Sequence, residues 1–356
     1  MKVLTILGAR PQFIKASSVS RVIALRKPYI EEVIVHTGQH YDHNMSDVFF
    51  HEMKIQKPSY YLGVGGVSHG KMTGEMIKKI ENIIIKENPD WILVYGDTNS
   101  TLAGAIAASK LQVKIAHVEA GLRSFNMSMP EEVNRILTDR VSTLLFCPSE
   151  LAVSNLKNEG INSWKNGAKI ILSGDVMKDS AIFYKDLAKP LKNLRIDNDF
   201  VLCTIHRAEN TDNDKKIDEI IYSLQQISQF KQVVLPLHPR TKKILVNKGL
   251  DLGNISIIDP VGFLNMVWLL DNCSLVITDS GGLQKEAFYF RKSCIILRDE
   301  TEWHELLESN VSVLVGSNTE KIITEFKNIK PFNSTNNNIY GDGKASEKIV
   351  NGLLHN

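Results

Sequence analysis

Twelve short apolar runs alternate with helical patterns along almost the whole of this 356-residue chain, and that alternation constrains its fold more than any other feature. In the first half the runs are Val3–Leu7, Glu32–His36, Trp91–Tyr95, Lys114–Val118, Leu144–Cys147 and Lys169–Leu172. In the second they are Phe200–Ile205, Gln232–Pro236, Ile255–Ile258, Ser274–Thr278, Cys294–Leu297 and Val311–Val315. Short β-like runs each followed by a helical stretch predict parallel strands covered by helices on both faces. Twelve strands are too many for one comfortable doubly wound sheet, and the pattern breaks near Ser173–Asp199. We therefore expect an α/β chain of two Rossmann-like domains, 1–172 and 173–343, with a C-terminal helix over 344–356 packing back on the first. The length agrees, because single cores rarely grow beyond roughly 250–300 residues.

Charge and cysteine usage narrow the function classes. Lys and Arg number 42 against 40 Asp and Glu, with no run of like charges, so nucleic acid is excluded as a bulk partner. No apolar stretch reaches the ~18 residues of a membrane span. The start, Met1-Lys2-Val3-Leu4-Thr5, enters a strand without the apolar segment of a signal peptide, so a cytoplasmic protein is expected. Cys147, Cys203, Cys273 and Cys294 lie in or beside strand-like runs with no C-x-x-C pair, and read as reduced core thiols. His36, His40 and His43 lie near Asp42, but no complete metal spacing emerges and no metal is expected.

In open parallel sheets ligands bind outside the carboxyl ends of the strands, so the polar residues that follow each strand are the candidates. After the first strand comes Gly8-Ala9-Arg10-Pro11-Gln12-Phe13-Ile14-Lys15. A glycine turn at a helix start is an anion site in waiting, and Arg10 and Lys15 flank it, which points to a phosphate-bearing ligand. The alternative is an ordinary strand-to-helix turn with solvated charges. Asp97 follows Tyr95-Gly96 and either serves chemistry or caps the next helix. Glu119 ends a buried strand and precedes Ala120-Gly121, where a carboxylate has little local structural purpose. Glu131 and Arg135 are spaced i,i+4 after Pro130, so they form either a helix-stabilising pair or part of a site. Three carboxylates at the top of one domain suggest acid–base work.

The second half supplies complementary groups. His206 follows its strand directly, and His238 and Arg240 follow the next. Asp279-Ser280-Gly281-Gly282 opens a second glycine-rich helix suited to a diphosphate, and Glu286 lies one turn on, placed to accept ribose hydroxyls. There is no G-x-G-x-x-G, Walker loop, G-x-S-x-G elbow or H-E-x-x-H.

Taken together, Gly8–Lys15, Thr37-Gly38-Gln39-His40, Gly96-Asp97-Thr98, His117–Arg123, Pro130–Arg135, His206-Arg207 and Asp279–Glu286 resemble the non-hydrolysing UDP-N-acetylglucosamine 2-epimerase family, in family order and over essentially the whole chain. The resemblance implies the GT-B fold, two facing Rossmann-like domains with an interdomain active-site cleft. It also implies inversion at carbon 2 of a UDP-sugar by elimination of UDP to a 2-acetamidoglucal and re-addition, with no cofactor. On this reading Asp97, Glu119 and Glu131 form the acid–base set. Arg10, Lys15, His206, Ser280, Gly281 and Gly282 contact the diphosphate, Glu286 the ribose, and Arg135 orients Glu131 or touches substrate. Arg298 is a further substrate contact. A homodimer is expected from the resemblance alone.

Two segments depart from the family pattern. Where members read Arg-Asp-x-Thr-Glu-Arg-Pro-Glu, this chain has Arg298-Asp299-Glu300-Thr301-Glu302-Trp303-His304-Glu305, so Trp303 replaces an arginine. Leu237-His238-Pro239-Arg240 also differs, and Arg240 is a candidate compensating cation. Gln39 and His40 match an allosteric UDP-GlcNAc site, whose arginine has no counterpart near Ser68-His69-Gly70-Lys71. These departures, with Gln12 in the first motif, resemble a subgroup acting on UDP-2,3-diacetamido-2,3-dideoxy-glucuronate in surface-polysaccharide synthesis. UDP-GlcNAc and UDP-ManNAc remain the family default. A hydrolysing 2-epimerase, a GT-B glycosyltransferase and a non-catalytic UDP-sugar sensor are the alternatives. The last two have no need of Asp97, Glu119 and Glu131 together.

Overall fold

The computed structural model describes residues 1–39, 50, 53–163, 167–191, 196, 199–237, 239–250, 252–333 and 338–356. The chain divides into two compact units, 1–180 with 338–356, and 181–337. The first holds seven parallel strands in the order β3-β2-β1-β4-β5-β6-β7, with β1 Lys2–Leu7, β2 Glu31–His36, β3 Tyr60–Tyr61, β4 Trp91–Tyr95, β5 Lys114–Val118, β6 Leu144–Cys147 and β7 Lys169–Leu172. The second holds six parallel strands in the order β10-β9-β8-β11-β12-β13, with β8 Val201–Thr204, β9 Val233–Pro236, β10 Ser256–Ile258, β11 Leu275–Thr278, β12 Ser293–Ile296 and β13 Ser312–Leu314. The expected α/β class is therefore observed. The thirteenth strand, β3, is a two-residue edge strand paired to Val35 and His36, too short to leave a period in the sequence.

Each sheet reverses its strand order at one place, between β1 and β4 in the first unit and between β8 and β11 in the second. Chains leaving these strands turn to opposite faces of the sheet, which opens a crevice at the carboxyl ends. Gly8 and Gly96 follow β1 and β4, and His206 and Asp279 follow β8 and β11, so the candidate residues stand at both switch points.

Helices α1 (Arg10–Ala24), α2 (His69–Glu87) and α3 (Asn99–Lys110) cover the sheet of the first unit. The α3 sequence is rich in Ala and Gly because it lies very close to the sheet. A side chain at Gly104 would meet Ile6 and Val94 at 3.2 Å. Leu4, Ile6, Val33, Val35, Ile92, Val94 and Met76 form the core beneath it. In the second unit Val201, Cys203, Leu235, Ile277 and Ile295 pack against Ile217, Ile220, Ile221 and Leu224 of α8 (Asp214–Ser228), counting α4 Pro130–Val141, α5 Glu150–Asn158, α6 Val176–Lys185 and α7 Ala208–Thr211 before it. The remaining helices are α9 Pro239–Asn247, α10 Phe263–Asn272, α11 Gly281–Tyr289, α12 His304–Glu308, α13 Thr319–Asn328 and α14 Ala345–Leu354.

The first unit extends eight residues past the expected limit of 172 and resumes at 338 instead of 344. Hydrogen bonding accounts for the difference. Ser173 N–H donates to Cys147 O at 3.0 Å, Asp175 N–H to Tyr340 O at 3.0 Å, and Ser180 Oγ to Ile14 O at 3.0 Å. Helix α14 lies against α1, and its first N–H groups, from Ala345 and Ser346, donate to the Asp179 carboxylate at 3.1 and 2.8 Å. No helix among the described residues is long and apolar enough to cross a membrane. The four cysteines are free and buried.

Candidate active site

At the first switch point the turn after β1 is built by a glutamine. Gly8 cannot carry a side chain, because a Cβ there would overlap Ser100 Oγ at 1.9 Å and Thr37 Oγ1 at 2.3 Å. Gln12, buried in α1, accepts from Gly8 N–H at 2.8 Å and Ala9 N–H at 3.1 Å through Oε1. Its Nε2 donates to Tyr95 O at 2.8 Å and Thr101 Oγ1 at 2.9 Å. The outward N–H groups expected at this turn are thus turned inward. The two amides that sequence reasoning offered to an anion are spent on fixing α1 to β4. Arg10 is half-buried at the helix start.

Lys15 reaches across to Glu119 and pairs with it through Nζ and Oε2. Glu119 holds a backbone φ of +71°, in the left-handed region that costs a non-glycine residue about 1–3 kcal/mol. Its own N–H and that of Ala120 both donate to Phe146 O at 3.1 Å. Gly96, at φ +63°, lies beneath this pair; a Cβ there would stand 3.2 Å from Glu119 Oε2 and 3.4 Å from Lys15 Nζ.

Asp97 accepts from Arg135 Nη2 at 2.5 Å. Burial pushes its carboxyl above the usual range; Arg135 and Lys15 pull it down, while the neighbouring charges of Glu119 and Glu131 push it up again, and the net direction is upward. The charges of Glu119 and Glu131 therefore both act on Asp97, together with those of Lys15 and Arg135. A carboxyl raised toward neutrality beside ionised neighbours is suited to exchanging a proton.

The expected i,i+4 partnership of Glu131 with Arg135 is replaced by another. Glu131 is exposed at the start of α4, and Arg135 instead pairs with Asp97 and, at 3.1 Å, with Glu132. Glu132 is fully buried and accepts from Ser124 N–H and Phe125 N–H at 2.9 Å each. A helix rotates successive residues by about 100°, so Glu131 and Glu132 face different ways, and it is Glu132 that braces the loop. Asn134 Nδ2 adds a bond to Asp97 O at 2.9 Å. Gln39 Oε1 accepts from Ser100 N–H at 3.0 Å, and Asn99 Nδ2 lies 3.1 Å from His69 Nδ1. His40, Asp42 and His43 lie outside the described residues.

At the second switch point Asp279 organises the loop after β8. It is fully buried and accepts from His206 N–H at 3.0 Å, Arg207 N–H at 3.0 Å and Asn210 Nδ2 at 3.2 Å. His206 Nδ1 lies 3.0 Å from Oδ1, with half of the imidazole exposed. Burial alone would push the Asp279 carboxyl up, but His206 and these N–H groups hold it below the usual carboxylate range. Ser280 caps α11 by accepting from Leu283 N–H at 3.4 Å. Gly281 is pressed against Glu302, whose Oε1 a Cβ would meet at 2.5 Å, whereas Gly282 is exposed at the helix start and Glu286 is half-buried one turn on. Exposed amides at such a start suit an anion.

Arg298 Nη1 donates to Glu302 Oε2 at 2.8 Å. Arg240, expected to compensate for the missing arginine, is committed to Asp212, with both carboxylate oxygens at 2.6 Å from Nη2. The cation beside Trp303 is Lys285, buried with Nζ 4.1 Å from the ring centroid. His238 lies outside the described residues. Glu132, Asp279 and Lys285 were not singled out from the sequence, and Gln12 was marked only as a departure from the family pattern; all four lie inside motifs already drawn.

Comparison with known proteins decides the family. The profile of UDP-N-acetylglucosamine 2-epimerase matches residues 24–354. The chain belongs to the UDP-N-acetylglucosamine 2-epimerase family. It is 53% identical over 352 residues to the UDP-2,3-diacetamido-2,3-dideoxy-D-glucuronate 2-epimerase of Pseudomonas aeruginosa, covering 98% of each chain. The crystal structure of the Methanocaldococcus jannaschii UDP-GlcNAc 2-epimerase in complex with UDP-GlcNAc and UDP matches over 100% of both chains, at 42% identity and a TM-score of 0.87. The Neisseria meningitidis UDP-GlcNAc 2-epimerase bound to UDP-GlcNAc matches over 100% of both, at 32% identity and a TM-score of 0.87. The fold is accordingly that of the GT-B epimerases, and the chain is an isomerase of this epimerase family.

Proposed function

We propose that this chain inverts carbon 2 of a UDP-2-acetamido sugar without hydrolysing it, by eliminating UDP to a glycal and adding it back at carbon 1 with the proton delivered to the opposite face of carbon 2. The observation that carries this reading is the cluster of Asp97, Glu119 and Glu131 with Lys15 and Arg135 at one switch point. The carbon-2 hydrogen has no adjacent carbonyl to acidify it, so its removal must be coupled to loss of the diphosphate. That requires a base, an acid and stabilisation of the leaving group; one positioned base contributes typically 10²–10⁴-fold. The strained, lysine-paired Glu119 and the raised Asp97 are two carboxyls in different surroundings, and Glu131 is a third, exposed at the start of α4.

In the second unit we assign the leaving diphosphate to His206, Ser280, Gly281 and Gly282, and the ribose to Glu286. Clamping of developing charge is usually the largest catalytic effect. Arg10 and Arg298 are assigned as further cations for the substrate, and Lys15 as the ion-pair partner that positions Glu119. The reaction needs no cofactor. We further assign the protein to the cytoplasm, as a homodimer supplying surface-polysaccharide synthesis.

The favoured substrate is UDP-2,3-diacetamido-2,3-dideoxy-D-glucuronate, supported by the 53% relative and by Trp303 in place of arginine. UDP-GlcNAc is the second reading, supported by the Methanocaldococcus jannaschii relative at 42% identity. Proton NMR in deuterated buffer, with each sugar in turn and no added cofactor, tests both. Deuterium entering carbon 2 as the manno epimer accumulates supports the reaction and identifies the substrate. Free sugar with UDP as the main products would replace it with the hydrolysing reaction.

A further inference from the structure

Beneath the three carboxylates runs a buried chain of charged side chains that the proposed chemistry does not use directly. His117, on β5, is fully buried. Its Nε2 lies 2.7 Å from Gly96 O and its Nδ1 lies 2.7 Å from Asp139 Oδ1. Asp139 Oδ2 accepts from Arg123 Nη1 at 2.8 Å and Gly121 N–H at 3.2 Å. Arg123 donates through Nε and Nη2 to the two oxygens of Glu159, at 2.6 and 3.0 Å, and Arg140 Nη2 reaches Glu159 at 3.4 Å where the chain meets solvent.

The hydrogen-bond inventory fixes where the protons are. A peptide carbonyl can only accept, so Nε2 of His117 must carry hydrogen. Asp139 takes both the Arg123 guanidinium and the Gly121 amide on Oδ2, and an ion pair with the buried Arg123 at 2.8 Å favours the ionised carboxylate, so Oδ1 accepts and Nδ1 donates as well. We propose that His117 is a doubly protonated imidazolium buried beneath the acid–base group, and that it acts as a positioning residue by pinning the Gly96–Asp97 peptide from below.

The positions pinned are those that need it. Gly96 N–H donates to Val118 O at 3.0 Å, so with His117 on its carbonyl both polar groups of this φ +63° residue are fixed to β5. Asp97 follows directly. The other arm of Asp139 holds Gly121, at φ +81°, two residues beyond the strained Glu119; a Cβ at Gly121 would strike Ala152 O at 2.4 Å. One carboxylate thereby ties down the loops on both sides of Glu119. Asp139 also faces the Cys147 thiol of β6, which burial pushes up and keeps neutral. Positive and negative groups therefore alternate from His117 through Asp139, Arg123 and Glu159 to Arg140, so no buried charge is left uncompensated.

The charge state is read on wild-type protein by nitrogen–proton NMR of protein labelled with ¹⁵N-histidine, at about pH 8, above the ordinary histidine range. We expect two slowly exchanging ring N–H signals from His117, assigned by their loss in His117→Gln. His36, whose Nδ1 accepts from Gly38 N–H at 2.9 Å, serves as an internal contrast with one. A single ring N–H on His117 would overturn the imidazolium. In Asp139→Asn we expect the ring to fall to one N–H and turnover to drop about a hundredfold, the cost of a misplaced reacting group, with UDP affinity within about threefold of wild type. Unchanged turnover together with the loss of one ring proton would overturn the positioning role. The turnover arm rests on the epimerase reading and the NMR arm does not. An inactive wild type with two ring protons would therefore count against that reading and not against the imidazolium.

Discussion

His206 Nδ1 stands 3.0 Å from Asp279 Oδ1, and the backbone N–H of the same histidine donates to the same carboxylate. Side chain and main chain of one residue are thus held by one buried group, which leaves Nε2 as the ring atom available to a ligand. In Asp279→Asn the neutral amide cannot accept from both N–H groups and the imidazole together. We expect UDP affinity, measured by calorimetry, to fall about tenfold, and the second unit to lose on the order of 2 kcal/mol in denaturant unfolding. The sign of the pH dependence follows from the depressed Asp279 carboxyl. Its contribution is present above the ordinary carboxylate range and disappears as pH falls through the lower folded value, so the gap in Tm between wild type and variant should close below about pH 4.

Asp97 behaves with the opposite sign. Burial raises its carboxyl, so the ionised form is less favourable in the folded protein than in the unfolded chain. Its stabilising contribution is present below the ordinary carboxylate range and lost as pH rises through the folded value. Asp97→Asn should therefore raise Tm at neutral pH while removing nearly all turnover and leaving UDP affinity nearly intact, and the gain should vanish by about pH 4. Scanning calorimetry across that range, beside an epimerisation assay, reads both effects. A variant that loses activity and Tm together would mean that Asp97 is structural.

Arg135 pulls the Asp97 carboxyl down, so its removal should let that carboxyl rise further. In Arg135→Gln we expect the acidic limb of the kcat/KM profile to move to higher pH, and in Arg135→Lys to return toward its wild-type position. Lysine restores the charge without the two-pronged geometry that also reaches Glu132 at 3.1 Å. Turnover in the lysine variant should accordingly remain below wild type even where the limb is restored.

The strand-end residues were legible because parallel strands write themselves as continuous apolar runs, and the first polar residue after each run is where a ligand can reach. Asp97, Glu119 and His206 were all found in that way, and Ser280 one residue further along. Contacts made across the fold were not legible. The Gly8 turn reads as an anion site until Gln12 is seen to fill it, because a side chain folding back on its own turn has the same sequence as one that does not. Glu131 and Glu132 are adjacent acids with identical local propensity. Only the position of Ser124 and Phe125, brought near by the loop, decides which one is buried. The edge strand Tyr60–Tyr61 exists because β2 offers it a partner.

Trp303 shows the same limit and yields the last prediction. Read alone, it removes a positive charge. In the folded second unit it lies under one, with Lys285 Nζ 4.1 Å from the ring centroid and both residues buried. A cation over an indole face is worth about 2 kcal/mol when desolvated. Trp303→Leu should therefore cost more than its lost apolar contact, because it takes the ring from a buried ammonium. Lys285→Met should cost less in the Trp303→Leu background than in wild type, since the ammonium has by then lost the ring. Denaturant unfolding of both single variants and the double variant should show a coupling of on the order of 1–2 kcal/mol. Additive costs would mean that the two side chains share a location without sharing energy, and the charge beside α11 would then have to be sought in Arg298.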